Sequence, residues 1–454
     1  MEKKTISRRQ FLKEAGAISV GVMLAGYELK AQNGLSAKSY SQVMGANDRV
    51  HLAFVGLNGR GNSLLGTVGR SVKNVEATYL CDVDTNVLAK AMKTAEKAGY
   101  SPKKERDFRR LLDNKDIDAF VHATPDHWHA IGAIMCAQAG KHSYVEKPLS
   151  HNPAEGELLV EAMKKYNVLV HMGSQRRSFP VIQEAMGLLH EGVIGDIYMG
   201  KSWYVNKRDS LSIAPASVPG NLDWDLWQGP APRREYMDGY VHYNWHWFWN
   251  WGTGEALNNG THEIDLLLWG TQAAFPTKVS SAGGKFAYQD AWETPDTQII
   301  TWELPGLILT WEGRSRNGLQ DMVSMGERGV IFYGTKGSMR TGGNDYTIFN
   351  RNGSKIQQKK AGDMVISGQD TTSPSVHIDA FHLTNFVDAV RGKVKSNCTA
   401  DIGHKSTTYV QLGNIAQRVG HSLKINPENG HIIDDREAQA LWSRKYEKGW
   451  KPKI

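Results

Sequence analysis

From residue 50 to residue 171, short apolar runs of strand length alternate with stretches whose apolar positions recur at helical spacing. The strand candidates are residues 50–56, 75–82, 118–124, 142–146 and 168–171. Residues 87–98, 129–139 and 153–166 read as helices, and a further helical stretch follows the glycines after residue 56. Strands and helices alternating at this interval predict parallel βαβ units in a doubly wound sheet. From about Ser174 the rhythm changes. One helix over 181–190 precedes a strand over 198–205, and strand runs follow at 296–303, 307–312 and 329–333. Helices at 381–390 and 407–419 come near the C-terminus. The second pattern predicts an α+β domain with a large open, mostly antiparallel sheet and helices on one face.

Composition sharpens this picture in three places. With 454 residues, 40% of them apolar, the chain can build two or three cores. The net charge of +7 is concentrated partly in the first thirty residues and the C-terminal tail. No Lys/Arg stripe tracks a phosphate backbone, so nucleic acid is excluded as a partner. Three scattered cysteines (Cys81, Cys136 and Cys398) do not make a disulfide framework. No run of eighteen apolar residues follows the N-terminus, so no membrane span is expected.

The first 32 residues read as an address. Ser7-Arg8-Arg9-Gln10-Phe11-Leu12-Lys13 matches the twin-arginine export pattern, and residues 15–26 supply its hydrophobic region. Cleavage is expected near Ala31, and no cysteine stands there to carry a lipid. The mature protein is therefore expected in the periplasm, or otherwise exported, by a route that carries proteins already folded, often around a cofactor. Residues 33–47, small and polar, read as a linker or arm.

The first strand runs into Gly56-Leu57-Asn58-Gly59-Arg60-Gly61 at the mouth of a helix. Glycines there permit a tight turn and let backbone amides approach a pyrophosphate, whose charge suits a helix N-terminus. The strict Gly-x-Gly-x-x-Gly register would place its second glycine at Asn58, and Gly59 comes one position late. Asp82 ends the next strand about twenty residues on, where an acid bonds ribose hydroxyls and repels a 2′-phosphate. No arginine follows it directly, which favours NAD over NADP. Asp84 is expected to cap the following helix. The domain over 48–173 is therefore predicted as an NAD-binding Rossmann domain, and 174–454 as the substrate-binding domain.

Two further motifs stand at strand ends: Thr124-Pro125-Asp126-His127-Trp128-His129 and Glu146-Lys147-Pro148. Later come Asn258-Asn259-Gly260-Thr261-His262-Glu263-Ile264-Asp265 and His382-x-x-Asn385-Phe386. Together with the glycine loop and Asp82, these segments resemble the Gfo/Idh/MocA-type oxidoreductases, sugar and cyclitol dehydrogenases, over nearly all the mature chain. The resemblance implies that Lys147 lies beside the nicotinamide and bonds the reacting hydroxyl, while His262 acts as general base. It also implies C-terminal helices packed back towards the Rossmann domain and an exposed sheet that pairs with a second copy. Gly56, Asn58, Gly59, Arg60, Gly61, Asp82, Thr124, Pro125, His127, His129, Glu146 and Lys147 are the expected cofactor-binding residues. His127 and His129 have no third ligand at zinc spacing, so no metal is expected.

Asn258, His262 and Asp265 fall at i, i+4 and i+7, one face of a helix. The family commonly has Asp where this chain has Asn258; an amide can orient an imidazole but cannot stabilise imidazolium by charge, and Asp265 is expected to supply part of that field. Trp245, Trp247, Trp249 and Trp251 alternate and would share one side of an extended backbone. Aromatic faces stack on pyranose rings, and the bland alternative is a core contact. Trp245, His246, Arg176, Asn258, His262 and Lys147 are the expected substrate-binding residues.

The expected reaction is hydride transfer from a secondary alcohol of a sugar or glycoside, at C3 of a pyranoside, to tightly bound NAD. A second reading is an NAD-dependent glycosidase working by oxidation, elimination, hydration and reduction. Relatives of that kind lack the Glu-Lys-Pro lysine. A third is a non-catalytic module that holds the dinucleotide and binds sugar; Lys147 and His262 weigh against it.

Overall fold

The computed structural model describes residues 49–320, 326–363 and 374–454. The twin-arginine segment and the arm lie outside these residues. The first sheet is built from β1 (Val50–Val55), β2 (Val75–Cys81), β3 (Lys103–Glu105), β4 (Ala119–His122), β5 (His142–Val145) and β6 (Val170–Met172). All neighbours are parallel, in the order β3-β2-β1-β4-β5-β6. β4 is buried along its whole length, as an inner parallel strand covered on both faces must be. Four helices connect the strands: α1 (Arg60–Ser71), α2 (Thr85–Lys97), α3 (Asp126–Gln138) and α4 (Pro153–Lys165). Asp84 caps α2 through the amides of Asn86 and Val87, and Asn152 caps α4 ahead of Pro153. The strand order reverses between β1 and β4, the switch point at which open α/β sheets bind ligands.

The second sheet has nine strands. Its centre is β7 (Ile197–Val205), which follows α5 (Pro180–His190). A two-residue pairing of β8 (Ala214–Pro215) with β9 (Met237–Asp238) stands apart. The large sheet continues with β10 (Lys278–Gly284), β11 (Thr297–Leu304), β12 (Leu307–Arg314), β13 (Arg328–Gly334), β14 (Gly337–Thr341), β15 (Asp345–Asn350), β16 (Lys355–Lys360) and β17 (Leu423–Lys424). Only β7 and β12 pair in parallel; every other pair is antiparallel. The short α6 (Trp224–Gln228) packs in a separate aromatic cluster, while α5, α7 (Thr261–Thr271) and α9 (Ala400–Val419) lie on one face of the sheet and share the core with Trp302, Trp311 and Phe332. A Cβ on Gly413 of α9 would lie 2.5 Å from the Ile300 side chain, so α9 can settle this close only with glycine there. On the other face Ile299 and Ile308 stand exposed.

The helix α8 (Pro374–Val390) returns to the first domain: Leu383, Phe386 and Val387 share a core with Leu64, Val68 and Val121. The His382 and Asn385 motif is spent on this docking. His382 bonds Ser178 and His171 at 2.7 and 2.9 Å, and Asn385 takes the Asn397 amide and donates to the Lys395 carbonyl.

Some elements depart from the sequence expectation. The helix expected from His129 begins at Asp126, because Pro125 sets the extended entry and the first turn is buried. β3 and β16 carry mostly charged or amide side chains, and both are edge strands, where no hydrophobic alternation is required. The aromatic segment is not extended: Asn244–Trp247 forms a 3₁₀ turn, and Trp247, Phe248 and Trp251 are buried. Of these, Phe248 and Trp251 pack into one cluster with Trp224 and Trp227. The four tryptophans therefore share no face.

Replacing Phe386 with Ala removes a fully buried ring from the core that α8 shares with the first domain, at a cost of about 3–5 kcal/mol. Denaturant unfolding of Phe386→Ala is expected to show that loss. A change within about 0.5 kcal/mol, as for a surface substitution, would contradict the packing.

Candidate functional site

The glycine loop is shaped by contact with its neighbours. Gly56 has φ +79°, and a Cβ on it would lie 2.8 Å from the backbone of Ala123 and Thr124. A Cβ on Gly61 would lie 1.8 Å from the Gly56 carbonyl oxygen, so the first turn of α1 crosses directly over the loop. Gly59, φ +52°, precedes α1 with nothing within 4 Å of its Cβ position. No side chain caps α1 and no acid occupies its first turn. Its first amides are therefore free of side-chain partners and suit an anion.

These residues open a cleft of 530 Å³ lined from both domains. Gly56, Asn58, Gly59, Arg60 and Asp82 stand at one end, and Lys147, Arg176, Trp245, His246, Asn258 and His262 contribute further along. Asp82 accepts from the Leu57 amide at 2.6 Å and the Asp84 amide at 2.9 Å. Burial pushes its carboxyl up to about 6, against the pull of those two amides. Thr124 lines the same wall with a buried hydroxyl oxygen that has no partner. A cradle that excludes Cβ atoms, an uncapped helix start and an unpartnered hydroxyl together fit a dinucleotide.

Arg60 does not point freely to a ligand. Its guanidinium bonds Glu146 Oε1 at 2.8 Å and grips both oxygens of Asp379 at 2.6 and 2.8 Å. Glu146 accepts in addition from Gln175 and Tyr144. Glu146 is thus a buried brace within the cleft wall, and burial, which alone would raise its carboxyl, is overcome by Arg60 and Lys147.

Lys147 leaves the same strand end. Its ammonium donates to the Asn258 carbonyl at 2.5 Å and to Asn258 Oδ1 at 3.3 Å. Burial lowers its pKa, although Glu146 and Asp126 oppose the shift. His262 lies on the opposing domain's part of the wall, and burial holds its pKa well below the ordinary value, assisted by Arg176, Lys147 and Arg328. Both effects favour the neutral imidazole.

Three expectations need correction. Asn258, in the π turn Ala256–Gly260, and His262, in the first turn of α7, both reach the cleft, but Asp265 does not join them there. Asn258 turns to Lys147, and Asp265 is consumed by Arg177, Ser174 and Ser406. The leading charges acting on His262 are Arg176, Lys147, Arg328 and Arg60, all cationic. His127 does not line the cleft: its ring is fully buried, with Nε2 3.0 Å from the Trp227 carbonyl. His129 lies on the wall, its ring nitrogens 2.6 and 2.8 Å from the Pro148 and Thr124 carbonyls. It fastens Pro125's turn to the Glu-Lys-Pro segment.

Arg176 reaches the cleft and pairs with Glu263 at 3.0 Å, whereas Arg177 lies against Trp269. Trp245 and His246 stack with ring centroids 3.6 Å apart, and burial lowers the His246 pKa to about 3. Sequence reasoning missed Arg328, Asn259, Asp379 and Arg106, all on the wall. Each belongs to an otherwise ordinary strand, loop or helix, and only tertiary packing brings it to the site. Among the described residues no group of three or more His, Cys, Asp or Glu side chains could hold a metal ion.

Residues 50–174 match the family model described as "Oxidoreductase family, NAD-binding Rossmann fold". Residues 189–339 and 370–452 match "Oxidoreductase family, C-terminal alpha/beta domain". Among curated relatives, a glycosyl hydrolase family 109 protein of Shewanella pealeana is 27% identical over 218 residues, 44% of this chain and 46% of that protein. The alpha-N-acetylgalactosaminidase of Shewanella oneidensis is 27% identical over 219 residues, with the same coverage. The chain thus spans about half the length of the curated relatives it matches. Among solved structures, the WlbA dehydrogenase from Bordetella pertussis, in complex with NADH and UDP-GlcNAcA, has a TM-score of 0.63 at 18% identity. The match covers 83% of this chain and 98% of that one. Levoglucosan dehydrogenase, in complex with NADH and levoglucosan, has a TM-score of 0.64 at 16% identity, covering 83% and 99%. At these identities the likeness is one of fold.

The position of Asp82 sets a pH dependence. Burial raises its pKa from the ordinary aspartate range to about 6, so the carboxylate that accepts from Leu57 is present above pH 6 and lost below it. NAD affinity is expected to fall about tenfold per pH unit below that point, by one-proton linkage. Calorimetric titration between pH 4.5 and 8 checks this, and Asp82→Asn should flatten the profile. An unchanged affinity at pH 4.5 in the parent would show that Asp82 plays no part in binding.

Proposed function

The chain belongs to the Gfo/Idh/MocA oxidoreductases, whose N-terminal domain is an NAD-binding Rossmann fold, and on that premise we propose an exported carbohydrate oxidoreductase. Its reaction is oxidation of a secondary alcohol, at C3 of a pyranoside, by NAD that stays bound. Bound NAD supplies the hydride acceptor. Everything else falls to the chain's own side chains.

The observation that carries this reading is the opposition of Lys147 and His262 on the walls of one cleft. The Lys147 ammonium is anchored by Asn258 and donates to the substrate hydroxyl oxygen, favouring the charge that builds there. The neutral His262 accepts the hydroxyl proton as the C–H electron pair leaves with the hydride. Burial, assisted by the cations around His262, favours the deprotonated ring before the reaction and makes the imidazolium transient. Asn258 serves as a lysine anchor, which gives the amide a role that does not require the charge of an aspartate. Trp245, stacked on His246, offers the apolar face against which a pyranose ring can lie.

Export by the twin-arginine route requires that NAD be retained, since the dinucleotide is a cytoplasmic metabolite. A cofactor with micromolar dissociation, about −8 kcal/mol, would be lost on dilution. The open sheet face, with Ile299 and Ile308 exposed, is the surface for pairing with a second copy.

The family 109 relatives favour a second reading, in which the C3 ketone acidifies C2–H, the aglycone is eliminated, water adds and the hydride returns. The retained Lys147 favours the dehydrogenase. Incubation with a glycoside panel, measuring free aglycone and keto-sugar together, separates them: keto-sugar without aglycone is expected. Lys147→Met should lower turnover by 10² or more while acid denaturation still releases one NAD per chain. Near-parent turnover in that variant, or protein that emerges without NAD and works only when it is added, would overturn the reading.

A further inference from the structure

Glu255 stands behind the part of the wall that carries Asn258. It is buried, it does not line the cleft, and it directly precedes the π turn Ala256–Gly260. Its two oxygens have different duties. Oε2 accepts from Arg208 Nε at 2.7 Å, from Asn206 Nδ2 at 3.2 Å and from Ser315 Oγ at 3.5 Å. Oε1 accepts from Asn258 Nδ2 at 3.4 Å, from Asn259 Nδ2, and from Arg208 Nη2 at 3.4 Å. One carboxylate oxygen thus takes the amide NH2 groups of two consecutive asparagines, at i+3 and i+4 from Glu255.

The oxygen ends of both amides turn to cations of the cleft. Asn258 Oδ1 accepts from the Lys147 ammonium at 3.3 Å, and Asn259 Oδ1 accepts from Arg328 Nη2 at 2.6 Å. An amide turned end for end would set its NH2 against a cation and its oxygen against the carboxylate. Glu255 on one side and the cations on the other therefore allow each amide a single orientation. The turn that carries them is pressed against the sheet: a Cβ on Gly260 would lie 2.8 Å from the Trp311 ring.

From this geometry we infer that Glu255 is a positioning residue for the reaction: it holds the Asn258 amide so that Lys147 keeps one aimed N–H for the substrate. An ammonium has three N–H donors. The Asn258 carbonyl takes one at 2.5 Å and Oδ1 takes a second, which leaves the third for the reacting hydroxyl oxygen. With Oδ1 withdrawn, two N–H groups are loose and the ammonium is free to turn about its one remaining bond. Misplacing a reacting group by about 1 Å costs on the order of 10² in rate. The charge of Glu255 also explains why an amide suits position 258. A carboxylate there would set two like charges side by side in a buried turn, where one of them would have to take up a proton. The negative charge instead stands three residues back, paired with Arg208, and a neutral amide relays its effect to Lys147.

This inference rests on Lys147 acting as the donor in hydride transfer, and one arm of the test is independent of that reading. Lys147 is probed in the folded protein by brief reductive methylation with formaldehyde and cyanoborohydride, read by peptide mass spectrometry. Turnover is read as keto-sugar from the best substrate of the glycoside panel. Three variants are compared with the parent: Glu255→Gln, Asn258→Asp, and the two together, which transposes carboxylate and amide. Glu255→Gln is expected to lower kcat by about tenfold or more, with KM and NAD content unchanged, and to methylate faster at Lys147. Asn258→Asp, with two adjacent carboxylates, should lose kcat as well. The double variant should exceed the product of the two single effects by about tenfold, and its Lys147 should methylate no faster than the parent's. A Glu255 that served only as the counter-ion of Arg208 would give losses that multiply, and that result would overturn the inference. Parent kcat and parent labelling in Glu255→Gln would overturn it too. Should Glu255→Gln fail to fold, Asn258→Asp decides: loss of kcat upholds the inference and parent kcat overturns it. Faster labelling in Glu255→Gln that the double variant reverses, without keto-sugar from the parent on any glycoside, would uphold the positioning and overturn hydride transfer.

Discussion

The site depends on one guanidinium. Arg60 opens α1, directly after the glycine loop, and holds Glu146 at the end of β5 and Asp379 on α8. Both carboxylates are buried, so without Arg60 two like charges would face each other away from water. The arrangement ties the turn that receives the dinucleotide to the strand end that presents Lys147. It also ties both to a helix that arrives from the far end of the chain. Because Lys147 follows Glu146, any slackening of the Arg60 clasp would reach the ammonium within one residue. An arginine that looks like a ligand contact in the sequence is instead the fastener of the cleft.

Electrostatics then distinguish the two ends of that cleft. At the glycine loop the protein offers unbonded amides and one carboxylate, Asp82, whose charge is costly enough to be lost near pH 6. At the reacting end it offers an ammonium on amide oxygens and a neutral imidazole among cations. A base surrounded by positive charge holds a proton poorly, and this favours passing it on quickly. Proton removal is therefore shaped by the placing of Lys147 and His262 on the walls of one cleft.

Much of this was legible in the sequence because the relevant signals are local. Parallel strands buried on both faces read as unbroken apolar runs, and Gly56 and Gly61 mark places where a Cβ would strike backbone. The mixed, mostly antiparallel second sheet was legible as well. What sequence periodicity could not carry was anything decided at a distance. The spacing of Asn258, His262 and Asp265 brings the first two to the cleft wall, but Asp265 is taken by Arg177, Ser174 and Ser406. The alternating tryptophans looked like a sugar platform, yet a 3₁₀ turn and a buried aromatic cluster take most of them into the core. His127 shares a motif with His129, but one turn of helix sends it beneath Trp227. Arg328 and Asp379 carry no motif, and each becomes part of the site only when its sheet or helix docks.

The most direct test follows the hydrogen itself. Protein carrying its own NAD is mixed, in a single turnover, with a glycoside deuterated at C3, and the dinucleotide is released with acid and weighed by mass spectrometry. One deuterium on the reduced nicotinamide ring, matched by one keto-sugar, is the expected result. Unlabelled dinucleotide together with altered sugar would contradict hydride transfer in this cleft.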